Sequence, residues 1–165
     1  MSLTEEGVRR LRAEYPGITV LANADASAAS MTWRQGMLAW LRGGEAPVPT
    51  WSGRVLAVRV TVEGIRGGRS AARCAYDLIV ETSNLAGPIP TVWVASPSDQ
   101  QIRHVNIWPA HKSFCRWAGV NLPSFCWNTF ATAWSAAPPR SRTLGAALEY
   151  AKQLLNTENH DSPAR

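Results

Sequence analysis

Lysine is nearly missing from this chain. Of 17 basic residues only Lys112 and Lys152 are lysines, so the net charge of +5 rests on arginine. A basic surface attracts nucleic acid, membranes or acidic proteins. No tract of basic residues interleaved with aromatics marks a single-strand-binding groove, which sets nucleic acid outside the expected partners. Cysteine is also sparse: Cys74, Cys115 and Cys126, an odd number with no CxxC pair. Combining Cys115 and Cys126 with His104 and His111 makes a zinc site on paper, but the spacings match no known finger. No apolar run reaches the roughly eighteen residues that span a bilayer, and no apolar signal core opens the chain. A cytoplasmic protein with reduced thiols and no membrane partner is the expectation. Internal repeats and low-complexity tracts are missing too.

What remains describes one domain over residues 1–165, with a polar tail from about residue 156. The apolar fraction of 45% is enough to build a core without disulfides or a structural metal. The eight tryptophans fit core filling and the sealing of strand edges, with one or two available to a partner surface.

Ser2-Leu3-Thr4-Glu5 has the form of a capping box, and Val8, Leu11 and Tyr15 follow at helical spacing until Pro16-Gly17. Arg9, Arg10 and Arg12 lie on the outer face of this helix, either as a solvated face or as a docking surface for an acidic partner. Ile18 to Leu21 reads as a first strand, and Ala24 to Leu41 suits helix and strand equally. The run VLAVRVTV from Val55 to Val62 is a strongly β-branched, half-buried strand, and EGIRGGRS after it reads as a turn at Gly64 to Gly68. CAYDLIVE (Cys74–Glu81) and TVWVA (Thr91–Ala95) are further strands, joined through LAGPIP and ended by Ser96-Pro97. Three successive strands with short connections make an antiparallel meander. Helix before and helix after the meander give an α+β domain rather than alternating βαβ units. Phe125 to Trp134 is helical in part and AAPPRSR is an irregular loop. Thr143 to Leu155 is the clearest helix, with Leu144, Ala147, Leu148, Ala151 and Leu155 in one stripe.

The densest chemistry lies in IRHVNIWPAHKSFCRW, Ile102 to Trp117. A cysteine can carry an acyl group as a thioester if it is accessible, can ionise, and has donors where oxyanion charge develops. Cys115 follows the polar run Ala110-His111-Lys112-Ser113, which offers access, and Lys112 would favour its thiolate. Asn106 has an amide able to donate to an oxyanion. His104 is either a base or a hydrogen-bonding support for the loop. Between Phe114 and Trp117, Cys115 reads equally as a buried structural thiol. Cys126 is the rival nucleophile, in a more apolar setting.

The order of segments resembles the ubiquitin-conjugating enzyme family: a strand, the proline-rich connection Pro88-Ile89-Pro90, a second strand, His104-Val105-Asn106, a polar loop, then Cys115. The family has an HPN tripeptide where this chain has H-V-N. Its cysteine follows the histidine at almost the interval of eleven residues seen here. A second block is similar too: TLGAALEYAKQLLNTENHDSPAR keeps Leu154, Leu155, Asn159, Asp161 and Pro163 of the family's helix and the LLxxPNPDDPL segment after it. The interval from Cys115 to that block is longer than the family's, which places an insertion in Leu122 to Arg142. The chain stops where the family continues into two more helices, as in a divergent, minimal member of the bacterial type.

The resemblance implies a UBC-like fold: N-terminal helix, meander sheet, catalytic loop and a C-terminal helix packed on the sheet. It implies that an activating enzyme hands a ubiquitin-like protein to Cys115, and that an amine of a protein target then attacks the thioester. Cys115 would be the nucleophile, Asn106 a support for loop or oxyanion, and His104 chiefly structural. Asp161 and Ser162 would stand at the acceptor gateway, and Arg9, Arg10 and Arg12 would face the activating enzyme. No metal or organic cofactor is implied. The readings set against it are an inactive binding module of the same fold, a Cys-dependent hydrolase using His104 as base, and a basic nucleic-acid-binding domain.

Overall fold

The computed structural model describes residues 3–24 and 53–164. The ambiguous segment after Ala24 and the capping serine Ser2 lie outside them. Helix α1 (Glu5–Leu11) is capped by Thr4, whose hydroxyl accepts from the Gly7 N–H at 3.3 Å. The cap is therefore Thr4, the third residue of the expected box, because its extended backbone directs the hydroxyl at the first free N–H groups.

Strand β1 (Thr19–Asn23) pairs antiparallel with the edge of β2 (Val55–Gly67), and β2, β3 (Ser70–Glu81) and β4 (Val92–Ser96) form the expected meander. The turn expected at Gly64 to Gly68 is shifted: β2 runs on to Gly67, and β3 begins at Ser70. Gly64 sits inside the strand because a Cβ there would lie 2.6 Å from Leu155 Cβ. It marks a close approach of the C-terminal helix, one of the two meanings a strand glycine carries.

Four two-residue strands follow: β5 (Ile107–Trp108), β6 (Phe114–Cys115), β7 (Val120–Asn121) and β8 (Ser124–Phe125). The larger sheet is antiparallel throughout, ordered β1-β2-β3-β4-β8-β5, and β6 and β7 pair separately. Then come α2 (Thr129–Ala136) and α3 (Leu144–Asn156). Thr143 caps α3 by accepting from the Ala146 N–H. Among the described residues no helix is long and apolar enough to cross a membrane.

Alternation along the strands gives the sheet two different faces. Val58, Val60 and Val62 stand opposite Val80, Leu78 and Tyr76, and these join Val92 and Val94 beneath α3. The stripe Leu144, Ala147, Leu148, Ala151 and Leu155 is wholly buried. Each buried valine or leucine contributes about 1.5–3 kcal/mol of apolar transfer and each alanine less, so this face holds the domain together. The opposite face carries the ion pair Arg59–Asp77 and a smaller cluster of Ile79, Trp93 and Cys115.

Three tryptophans do what the composition suggested. Trp93, Trp127 and Trp134 are buried, and the indole N–H groups of Trp127 and Trp134 donate to the carbonyls of Pro90 and Gly87. Arg142 staples the same corner. Its guanidinium donates to the carbonyls of Ala86, Ser135 and Ala137, tying the proline-rich connection to the loop before α3.

Candidate functional site

The segment from Pro109 to Leu122 folds back over the outer face of the sheet. A 3-10 turn (Ala110–Lys112) leads into the β6–β7 hairpin, and the Leu122 N–H returns to the Ser113 carbonyl at 3.0 Å. Trp93 donates its indole N–H to Ser113 Oγ at 2.8 Å. Arg116 pairs with Glu81 and stacks over the Trp117 ring at 4.4 Å. The product is a lid, with Cys115 on its inner side. Cys115 is 0% exposed, packed against Ile79 and Trp93 with Ala95, Trp117 and Leu122 around them. As packed here the thiol is closed to solvent, whereas nucleophilic attack needs access to the carbonyl carbon. The expectation placed the nucleophile at Cys115 by its interval from His104 and Asn106, and the structure puts that thiol on the buried side of the lid. His111 and Lys112 are exposed on the turn before it.

Cys126 occupies the opposite situation. It follows β8, and its main-chain N–H donates to the Asn106 carbonyl at 2.8 Å, extending the ladder in which Ile107 pairs with Phe125. It is partly exposed. Two residues further on, Asn128 has φ +46° and ψ −121°, a backbone shape rare for any residue but glycine, and α2 starts there. The rival cysteine is thus the one joined to the H-x-N segment.

His104 and Asn106 are both buried. His104 Nδ1 accepts the Asn106 main-chain N–H at 3.3 Å, which leaves the proton of the neutral ring on Nε2. Nε2 reaches no partner at hydrogen-bond geometry, although the Leu155 carbonyl is near enough to favour its proton. Burial pushes the imidazole below its ordinary value, opposed by the Glu158 carboxylate and that carbonyl. A neutral ring closed off from solvent supports the loop, the second of the two roles weighed for it. The Asn106 amide donates to the Thr157 carbonyl at 2.8 Å, and Oδ1 is buried without a hydrogen-bond partner. Asn106 therefore ties its segment to the chain leaving α3.

The tail after α3 is irregular, as its composition indicated, yet it packs. Glu158 accepts from the N–H groups of Gly68 (2.7 Å) and Arg69 (3.0 Å) at the β2–β3 turn. Asn159 turns the chain: its Oδ1 takes the Asp161 N–H and its carbonyl takes the Ser162 N–H. Asp161 is exposed. Ser162 is buried, and its Oγ accepts from Ala164. Among the described residues no hydrogen bond joins either of them to Cys115 or Cys126. At the other end, Arg9 and Arg10 both pair with Glu6 on the exposed side of α1. Arg12 is exposed; burial holds Glu5 above its ordinary carboxylate value, and the Arg12 charge offsets part of that rise. The basic face is thus partly neutralised by its own glutamates.

Composition and spacing did not point to Glu158 or Thr157. A carboxylate in a polar tail and a main-chain carbonyl carry no motif. Among the described residues no group of His, Cys, Asp and Glu could hold a metal ion. Comparison with protein-family models, with curated proteins and with solved structures finds no match.

Proposed function

We propose that this chain is a conjugating enzyme of UBC-like fold that carries a ubiquitin-like protein as a thioester, with Cys126 as the carrier. The observation that carries the reading is the 2.8 Å bond from the Cys126 N–H to the Asn106 carbonyl. It joins a partly exposed thiol to the H-x-N segment on which the family resemblance rests. The interval from His104 grows to 22 residues, twice that to Cys115, while the spacing on the C-terminal side becomes more regular. Counting from Cys126 takes eleven residues out of the overlong interval before Leu154-Leu155 and moves the insertion into the lid between Asn106 and Cys126. The order of helix, meander, loop and helix supports the same reading.

The chemistry balances without a cofactor. The Cys126 sulfur attacks the carbonyl carbon of the activating enzyme's thioester; the new C–S bond forms, the old one breaks, and the departing thiolate takes up the proton. An amine of a protein target then attacks that carbon, forming C–N and breaking C–S, and the proton lost from nitrogen passes to the Cys126 thiolate. Neither half needs a histidine base at the sulfur. This agrees better with a buried, neutral His104 than a Cys–His hydrolase would. The cytoplasm, where thiols are kept reduced, suits such a carrier.

The test is intact mass after incubation with ATP, an activating enzyme and its ubiquitin-like protein. A thiol-sensitive adduct on wild type and Cys115→Ala, lost in Cys126→Ala, is the expected result. Loss in Cys115→Ala alone would return the role to Cys115 and require the lid to open. An activating enzyme that charges itself but leaves no adduct on any form would make the chain a binding module.

A further inference from the structure

We propose that Glu158 is a positioning residue for Cys126, acting through the Thr157–Glu158 peptide and Asn106; the part of this that concerns catalysis rests on the function proposed above. Three contacts are continuous. The Glu158 carboxylate bridges the Gly68 and Arg69 N–H groups at the tip of the β2–β3 hairpin. The peptide group joining Thr157 to Glu158 contains the carbonyl that receives the Asn106 amide. Asn106 in turn holds the Cys126 N–H. Anchoring the Glu158 side chain therefore fixes the oxygen that fixes Asn106.

The hairpin tip is a rigid anchor. Gly67 lies so close to the next segment that a Cβ on it would sit 2.4 Å from His104 Cα. The tip and the His104 segment are thus packed backbone against backbone, with Gly67 bridged to Arg103. Thr157 has left the helix for an extended conformation, and its N–H goes back to Leu154 only at 3.4 Å. The Thr157 hydroxyl still donates to the Gln153 carbonyl at 2.8 Å, and the carboxylate's two charge-assisted bonds hold the other side of the Thr157–Glu158 peptide.

This arrangement makes two properties of Cys126 change in opposite directions when the latch is cut. In Glu158→Ala the thiol gains access, so alkylation of Cys126 by iodoacetamide, read by peptide mass spectrometry, should quicken several-fold. Discharge of the Cys126 thioester to a free amine in a single turnover should slow by roughly tenfold, the scale expected when a reacting group is displaced by a fraction of an ångström. Glu158→Gln keeps one accepting oxygen and should fall between wild type and Glu158→Ala on both measures. Cys115, on the inner side of the lid, reports global loosening and should stay unlabelled in all three.

Unchanged Cys126 alkylation in Glu158→Ala would overturn the proposal. So would Cys115 becoming labelled in step with Cys126, since the effect would then be general unfolding. Should wild type never charge, the proposed function fails, and the alkylation series alone then upholds or overturns the latch.

Discussion

Asn106 and Cys126 are twenty positions apart in the sequence and joined main chain to main chain, the Cys126 N–H donating to the Asn106 carbonyl across 2.8 Å. The bond makes the residue after β8 a neighbour of the residue before β5. It leaves the intervening chain free to fold away as a lid over the outer face of the sheet. The cysteine in the lid is buried and the cysteine at its end is partly exposed.

That difference predicts an order of labelling. Under native conditions iodoacetamide should modify Cys126 and Cys74, both partly exposed, and leave Cys115 until denaturant is added. Early labelling of Cys115 would show that the lid opens readily. Replacing Cys115 by serine puts a hydroxyl among Ile79, Trp93 and Leu122. It should cost about 1–3 kcal/mol in urea denaturation, whereas Cys126→Ser should cost under about 0.5 kcal/mol, as surface changes do.

The Asn106 amide gives a second prediction. Asn106→Ala loses the bond to the Thr157 carbonyl but also removes the unpartnered Oδ1, and should destabilise by about 1 kcal/mol. Asn106→Asp instead turns acceptor oxygens on that carbonyl in a buried place and should cost more, about 2–3 kcal/mol. Equal losses for the two, measured by denaturation at pH 7, would mean that the amide is not bonded as described.

Much of the fold was legible in the sequence because it follows from local patterns. β-Branched alternation marked Val55 to Val62, and a helical stripe of leucine and alanine marked Thr143 to Leu155. The turn after Val62 was misplaced because Gly64 serves the approach of Leu155, a partner 91 residues away, rather than a bend. The strands β5 to β8 are two residues each, too short for any period to show. The site was half legible. His104 and Asn106 stood out as a pair, but comparing the two cysteines depended on which one the fold buries. Glu158 was invisible because its partners are main-chain groups of glycine and arginine.

Acid should weaken the fold in two separate steps. His104 has its proton affinity lowered by burial. The folded state therefore binds fewer protons than the unfolded one between its lowered value and the ordinary value of about 6.5, and stability falls with pH across that interval, levelling off below it. Glu158 is also depressed: burial raises it, but the Arg69 and Gly68 N–H groups, His104 and His160 together outweigh burial. Its contribution is complete above the ordinary glutamate value of about 4.3 and is lost as pH falls through its lower folded value. Denaturation midpoints measured from pH 8 to pH 3 should show both declines. His104→Gln should flatten chiefly the upper one and Glu158→Gln chiefly the lower, each with a smaller effect on the other because the two groups interact.

The hairpin tip supplies the severest single change. Gly67 has φ +84°, which a side chain rarely adopts, and a Cβ there would lie 2.4 Å from His104 Cα and 2.5 Å from His104 N. Both obstacles are backbone, so neither can swing aside. Gly68 also has positive φ, at +66°, but its nearest neighbour is Arg103 Cβ at 3.2 Å, on a side chain exposed to solvent. Gly68→Ala should therefore cost about 1–2 kcal/mol, the left-handed penalty alone. Gly67→Ala adds displacement of the His104 segment and should cost about 3 kcal/mol or more. Because that segment carries Asn106, Gly67→Ala should also quicken Cys126 alkylation under conditions where the protein remains folded, and Gly68→Ala should not. If the two variants lose equal stability, the hairpin tip does not bear on the His104 segment, and the rigid anchor inferred for Glu158 goes with it.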